Sequence, residues 1–126
     1  MVARLTLLAV LIGAVGCSEE KPKLVPVSGK VTFKNQPLTA GSVFFHPDAA
    51  NGYTKDVPSS LLQLDGAFTM KTFPFGEGVA PGKYKVTLAP ELANRIGKPA
   101  YADSSKTPWT VDVPDAGLPD KLFEVK

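Results

Sequence analysis

Short segments of alternating apolar and polar residues are the feature of this sequence that most limits its fold. In VPVSGKVTFK, Val25, Val27, Val31 and Phe33 stand at odd positions, with Gly29 between them. Successive side chains of a strand point to opposite faces of a sheet, so this spacing puts the apolar residues on one face. A sheet with one face on a core and one face in solvent is typically antiparallel. The segment is therefore predicted to be a half-buried strand.

Six further segments repeat this pattern, and residues that favour turns separate them. The chain contains 11 Gly and 12 Pro, which lie mainly between the apolar segments. No segment has the long apolar period of an amphipathic helix. Seven short strands predict an all-β fold, a seven-stranded antiparallel Greek-key sandwich of prealbumin-like or immunoglobulin-like type. The six further segments are GSVFFHP (41–47), SLLQL (60–64), AFTMKT (67–72), KYKVTLA (83–89), WTVDV (109–113) and KLFEV (121–125).

Two connections have recognisable signals. The pair Asp65–Gly66 favours a tight hairpin, so SLLQL and AFTMKT are expected to pair directly. The stretch between residues 89 and 108 is long for a connection in a compact domain. Its first part fits a short helix, because Pro90 suits the first helical turn and Gly97 suits the position just past the end.

The N-terminus carries a second kind of signal. An uncharged apolar run from residue 5 to 16 follows Arg4 and ends at Cys17, the only cysteine. The run is too short to span a membrane as a helix, but it fits the apolar region of a signal peptide. The segment AVGC resembles a bacterial lipobox, which implies a diacylglyceryl group on the Cys17 sulfur and cleavage just before it. We therefore expect a signal peptide over 1–16, a lipidated cysteine and flexible tether over 17–24, and a sandwich domain over 25–126.

The resemblance to a lipobox also implies a location. The expected location is the cell envelope, with the protein held by its lipid anchor. Ser18 follows the cysteine, where an Asp favours retention in the inner membrane of well-studied lipoproteins. The outer membrane is therefore expected, with the periplasmic and external faces both left open.

The mature segments carry a further resemblance. PVSGKVTFKNQPLTAGSVFFHP, DGAFTM and APGKYKVTL, in this order, resemble the carboxypeptidase-regulatory-like or transthyretin-like β-sandwich. The chain is similar in particular to small bacterial lipoproteins that carry one such domain behind a lipobox. The resemblance implies an envelope module without catalytic activity. One enzyme that shares this fold, a hydrolase of an oxidised purine, needs several His and Arg residues. The mature part of this chain has one histidine, His46, and one arginine, Arg95, so the resemblance does not carry that activity.

Residues able to do chemistry are few. His46 is the only histidine, and a zinc site needs three or four protein ligands. A nucleophile beside His46 would also need an orienting acid. The sequence favours a strand-end residue over a metal ligand or general base, so no cofactor, metal or catalytic residue is expected. The net charge is +2 without a basic cluster, which gives no support for binding nucleic acid.

The candidate surface for a partner or ligand lies in the loops, because loops on a rigid scaffold commonly carry function. Tyr53 lies in a polar loop, and Arg95, Lys98 and Tyr101 lie in the long connection 89–108. Trp109, at a strand start, is expected in the core.

Three hypotheses about function follow. The first is a lipid-anchored, non-catalytic envelope sandwich that acts as a structural or protein-interaction module. The second is a lipoprotein that binds a glycan or small ligand, which requires exposed aromatic rings among Tyr53, Tyr101 and Trp109 beside a groove. The third is an enzyme, which requires His46 in a cleft within reach of a nucleophile or acid.

Overall fold

The structure is a computed structural model that describes residues 21–126. The predicted signal peptide and Cys17 lie outside the described residues. Within them, ten strands form two sheets, accompanied by one short α-helix and one 3-10 turn. The prediction of an all-β fold is confirmed. The elements are β1 (Val27–Phe33), β2 (Gln36–Pro37), β3 (Ser42–Pro47), β4 (Ser59–Leu61), β5 (Ala67–Thr69), β6 (Lys71–Thr72), β7 (Gly76–Glu77), β8 (Gly82–Leu88), α1 (Pro90–Arg95), the 3-10 turn (Pro99–Ala102), β9 (Thr110–Val113) and β10 (Leu118–Val125).

The first sheet is built around β1. One edge of β1 pairs with β10 along its whole length. Its other edge pairs with β5 through its first half and with β2 through its last two residues. The second sheet has the order β7-β6-β4-β3-β8-β9, and its pairs are all antiparallel.

Two features of the pairing differ from the prediction. The pair β1–β10 is parallel, with Val31 beside Phe123, so the prediction of wholly antiparallel pairing is wrong for this pair. The described residues hold ten strands, of which the seven with three or more residues overlap the seven predicted segments. Of these, β4 and β8 begin one residue earlier than predicted, and β10 begins three residues earlier. The other three are two-residue ladders, β2, β6 and β7, formed where turns bring short extended pieces together.

The predicted hairpin around Asp65–Gly66 forms as a turn but not as a ladder between its flanking strands. Gly66 N donates to Gln63 O at 2.8 Å, and Gly66 has a φ of 77°, which glycine tolerates best. After this turn the chain contributes first to one sheet and then to the other. β5 pairs with β1 in the first sheet, whereas Lys71 of β6 pairs with Ser59 of β4 in the second. One backbone hydrogen bond, from Gln63 N to Ala67 O at 2.9 Å, joins SLLQL to AFTMKT. The two segments form no ladder through β5, so the expectation that they pair directly is wrong beyond this bond.

The core lies between the sheets and follows the predicted alternation. The rings of Phe45 in the second sheet and Phe123 in the first meet edge to face, with centroids 6.2 Å apart. Phe68 stacks on Phe123 from within the first sheet, at 5.8 Å. Burial of side chains of this size contributes about 1.5–3 kcal/mol each. The other fully buried large side chains are Val27, Val31, Val43, Met70, Val79, Val86, Leu88 and Leu92.

Strand directions define two ends of the sandwich. Val27 is paired with Leu118, so β1 and β10 begin together, and Gly82 is paired with Val113, so β8 begins where β9 ends. The bridge between Val25 and Val79, just before β1 and β8, places both starts at one end. We call this the N-terminal end; it includes loop 48–58, turn 73–75 and turn 114–117. The distal end holds turn 34–35, turn 63–66, the connection 89–108 and Lys126.

The described residues contain no helix that is both long enough and apolar enough to cross a membrane.

Candidate functional site

The connection 89–108 is ordered by local structure. Pro90 lies in the first turn of α1, and Gly97, just past its end, has a φ of 71°. Lys98 N donates to Ala93 O at 2.8 Å, which satisfies a carbonyl at the helix end. The short helix predicted from Pro90 and Gly97 is confirmed, and it lies at the distal end.

Arg95 ties this connection to the loop before β3. Its Nη2 donates to Thr39 O at 2.7 Å, and its Nη1 donates to Ala40 O at 3.4 Å. Ala40 has a φ of 56°, a conformation that non-glycine residues seldom adopt. The guanidinium is exposed but already bridges two carbonyls, so its role in this structure is to hold two loops together.

Tyr101 and Trp109 pack against each other inside the domain. Their ring centroids are 4.8 Å apart in an edge-to-face arrangement, and each side chain is less than a tenth exposed. The Tyr101 hydroxyl accepts a hydrogen bond from Lys126 N at 3.0 Å, and Trp109 Nε1 donates to Glu124 O at 3.1 Å. The expectation that Trp109 lies in the core is confirmed. Tyr101 lies there too, so the surface of the connection lacks its aromatic ring.

The rest of the connection is polar. Lys98 is half-buried, and its backbone oxygen accepts from Tyr101 N at 3.1 Å. Asp103 accepts from the backbone N and the hydroxyl of Ser105, at 2.8 and 2.7 Å, and these hydrogen bonds lower the pKa of Asp103. Thr107 is buried and donates from its hydroxyl to Val86 O at 2.6 Å. Local turns and links to β8 therefore account for most of the connection's polar groups.

His46 forms one link between strands of the second sheet. Its Nε2 lies 2.8 Å from Thr87 Oγ1, in a hydrogen bond between β3 and β8. Thr87 is 2% exposed, so its hydroxyl is closed to any substrate from solvent. The residue opposite His46 on β8 is Lys85, a cation where an orienting acid would be needed. Partial burial lowers the pKa of His46, because the charged imidazolium loses hydration.

Residues 21–126 contain no group of three or more His, Cys, Asp or Glu side chains that lie close enough together to bind a metal ion.

Tyr53 lies at the N-terminal end, away from the other candidate residues. Its side chain is half-buried, and its hydroxyl donates to an Asp56 carboxylate oxygen. The ring lines an open groove of about 460 Å³ together with Lys21, Lys23 and Lys55. The structure therefore separates the predicted surface: Tyr53 lies at one end of the sandwich, and Arg95, Lys98 and Tyr101 lie at the other.

Sequence reasoning did not single out the three lysines of this groove. Lys21 and Lys23 stand before the first strand, and Lys55 comes about thirty residues later in a loop. No spacing rule brings these positions together. Only the bridge between Val25 and Val79 and the packing of loop 48–58 set them side by side.

Comparison with protein-family models, curated proteins and solved structures finds no match to this chain.

Proposed function

We propose that this protein is a lipid-anchored, non-catalytic β-sandwich of the bacterial cell envelope, which acts as a structural or protein-interaction module. The observation that carries the proposal is the order of three parts. A cysteine follows an apolar run, a short polar segment follows the cysteine, and a packed domain follows at once. The first backbone bridge of that domain joins Val25 to Val79.

The physical logic of this order is straightforward. A single acyl chain holds a protein only marginally at a membrane, whereas two or more give stable attachment. The diacylglyceryl group proposed on Cys17 would supply two. The polar segment SEEKPK cannot bury enough apolar surface to fold alone, so it fits a tether.

The proposed domain type is a carboxypeptidase-regulatory-like or transthyretin-like Greek-key sandwich. Its support is the resemblance of the motifs together with two facing sheets whose longer strands overlap the expected segments. Close approach at Gly29 is one feature that such a motif would require. A Cβ there would lie 1.8 Å from Lys121 O, so only glycine fits.

A non-catalytic role is supported by how the candidate chemical groups are used. His46 is hydrogen-bonded to a buried threonine, Arg95 bridges backbone carbonyls and Tyr101 packs on Trp109. These three candidate side chains thus each have a role within the fold.

Glycan or small-ligand binding is the second candidate function. The observation that favours it is Tyr53, whose ring lines the open groove at the N-terminal end. Of the three aromatic residues weighed for a platform, Tyr101 and Trp109 are in the core. Of these three residues, Tyr53 alone lies outside the core and lines a groove.

Membrane fractionation tests the proposed anchor. The native protein should pellet with membranes and dissolve in detergent, and the Cys17→Ser variant should remain soluble. The soluble variant can then be immobilised to capture envelope proteins, with Arg95→Gln and Lys98→Gln as surface variants. Equal solubility of the native and variant proteins would contradict the anchor.

A further inference from the structure

The groove beside Tyr53 has an unusual composition. Lys21, Lys23 and Lys55 line it together with the Tyr53 ring, and its remaining walls are Pro22, Gly52, Ala80 and Pro81. None of the described residues that line it is acidic. We call Lys21, Lys23, Tyr53 and Lys55 the lysine groove. Such a groove attracts anions locally.

The length of chain between Cys17 and Lys21 limits how far the lysine groove can lie from Cys17. Lys21 is the fourth residue after Cys17, so it lies within about 14 Å of Cys17 even in a fully extended chain. If Cys17 carries an anchor, the lysine groove must lie close to the membrane surface. Basic side chains near an anionic surface are attracted within roughly one Debye length, about 8–10 Å.

A large exposed apolar side chain lies at the same end. Phe73 stands at the tip of the β6–β7 turn and is 86% exposed. Met70 N donates to Val27 O at 2.9 Å, which fixes the base of the β6–β7 hairpin beside the start of β1. Val57, also at this end, is 47% exposed. Aromatic and apolar side chains next to lysines are typical of surfaces that lie in the membrane interface.

Acidic groups at the N-terminal end offset the positive charge of its lysines. Asp48 accepts from Ala50 N at 2.9 Å, and Asp56 accepts from the Tyr53 hydroxyl. Glu77 and Asp115 are exposed nearby, as are Lys71 and Lys83. Glu19 and Glu20 precede Lys21 in the sequence. Asp56 offsets part of the charge of the lysine groove, so the attraction must come from the excess of its three lysines over this carboxylate and not from the overall charge of the end.

We propose that the lysine groove and Phe73 dock on the anionic phospholipid headgroups of the membrane that holds the anchor. This inference rests on the proposed lipid anchor. Docking sets the orientation of the domain, with its N-terminal end on the membrane. The distal end, with Arg95 and the connection 89–108, then faces away from the membrane and toward a partner.

The rate at which each lysine of the vesicle-bound protein is acetylated tests the docking. The mature lipidated protein is reconstituted into vesicles of phosphatidylcholine alone or mixed with phosphatidylglycerol, and both samples are floated to measure attachment. A brief acetylation pulse is then read at each lysine by mass spectrometry. We expect severalfold slower acetylation of Lys21, Lys23 and Lys55 in the anionic vesicles, and little change at Lys34 and Lys106 of the distal end. High salt should remove the difference.

The outcomes separate the two proposals. Protein that fails to float with either vesicle overturns the anchor and the docking with it. Protein that floats with equal acetylation in both vesicles overturns the docking alone. Equal protection of the distal lysines would also overturn it, because the orientation would then be wrong.

Matched variants of the soluble Cys17→Ser protein isolate the contacts. Replacing Lys21, Lys23 and Lys55 with Gln should weaken binding to anionic vesicles by about fivefold for each lysine that lies near the surface. The same change at Lys34, Lys98 and Lys106 is the control and should leave binding intact. Phe73→Ser should weaken binding. Leu64, which is similarly exposed but lies at the distal end, provides the control, and Leu64→Ser should leave binding unchanged. Equal effects in the two sets would refute the docking surface.

Discussion

The rings of Tyr101 and Trp109 meet edge to face, with their centroids 4.8 Å apart. This contact closes the distal end of the sandwich, because Tyr101 belongs to the connection 89–108 and Trp109 stands just before β9. Trp109 packs in turn on Phe123 of β10, at 5.2 Å. The long connection is therefore anchored in the core by an aromatic residue and is not a free loop.

Removal of the Tyr101 ring should be costly. Tyr101→Ala is expected to lower the free energy of unfolding by about 3–5 kcal/mol, as for other large-to-small core changes. Tyr101→Phe keeps the ring contact and loses only the hydroxyl that accepts from Lys126 N, so it should cost about 1 kcal/mol or less. Urea unfolding followed by Trp109, the only tryptophan, measures both variants. Similar small losses for both would contradict core placement of Tyr101.

Gly29 should not tolerate a side chain. A Cβ at this position would lie 1.8 Å from Lys121 O and 2.7 Å from the Lys121 carbonyl carbon, so β1 and β10 would have to separate. Gly29→Ala is expected to cost about 1–3 kcal/mol or more. Gly52→Ala is the control, because a Cβ there meets nothing within 4 Å and should change stability by less than about 0.5 kcal/mol. Thermal unfolding of the pair gives the comparison, and equal melting temperatures would count against the close approach of the strands.

Arg95 should stabilise the distal end. Arg95→Gln removes the hydrogen bonds to Thr39 O and Ala40 O and is expected to cost about 1 kcal/mol. Lys106→Gln, an exposed change in the same connection, should lie within about 0.5 kcal/mol of the native protein. Hydrogen exchange should also quicken in residues 38–41 of the Arg95 variant alone. A loop that exchanges at the native rate would show that the guanidinium does not hold it.

Stability should depend on the protonation of His46. Folding lowers the pKa of His46 below its ordinary value of 6.5, so the unfolded chain binds the proton more readily. The stabilising contribution is fully present above pH 6.5 and is lost as the pH falls through the lower pKa of the folded state. When the pH is lowered from about 7.5 to about 5.5, the free energy of unfolding should therefore fall more in the native protein than in His46→Gln. Identical pH dependence in the two proteins would rule this contribution out.

Local patterns predicted much of the fold because they depend on neighbouring residues. Alternation placed Val43 and Phe45 in the core, and the paired signals of Pro90 and Gly97 predicted the helix between them. These features need only the period of a strand or the chemistry of a helix end. They hold whatever partner each element meets.

Long-range pairing was less predictable because several partners satisfy the same pattern. The parallel pair β1–β10 and the passage from β5 to β6 at Met70 are choices among equally apolar neighbours. Tyr101 stood in a polar stretch without a periodic pattern, so nothing in the sequence indicated its contact with Trp109. The lysine groove likewise needed the fold, since Lys55 meets Lys21 and Lys23 only through the bridge of Val25 to Val79.

The intact mass of the mature protein, purified from its native membrane beside the Cys17→Ser variant, tests the central claim most directly. The lipid-anchor account predicts a native chain that begins at Cys17 and carries the added mass of a diacylglyceryl group. The variant should lack that mass. A native chain that begins at another residue, or one that begins at Cys17 without acyl mass, would contradict the account.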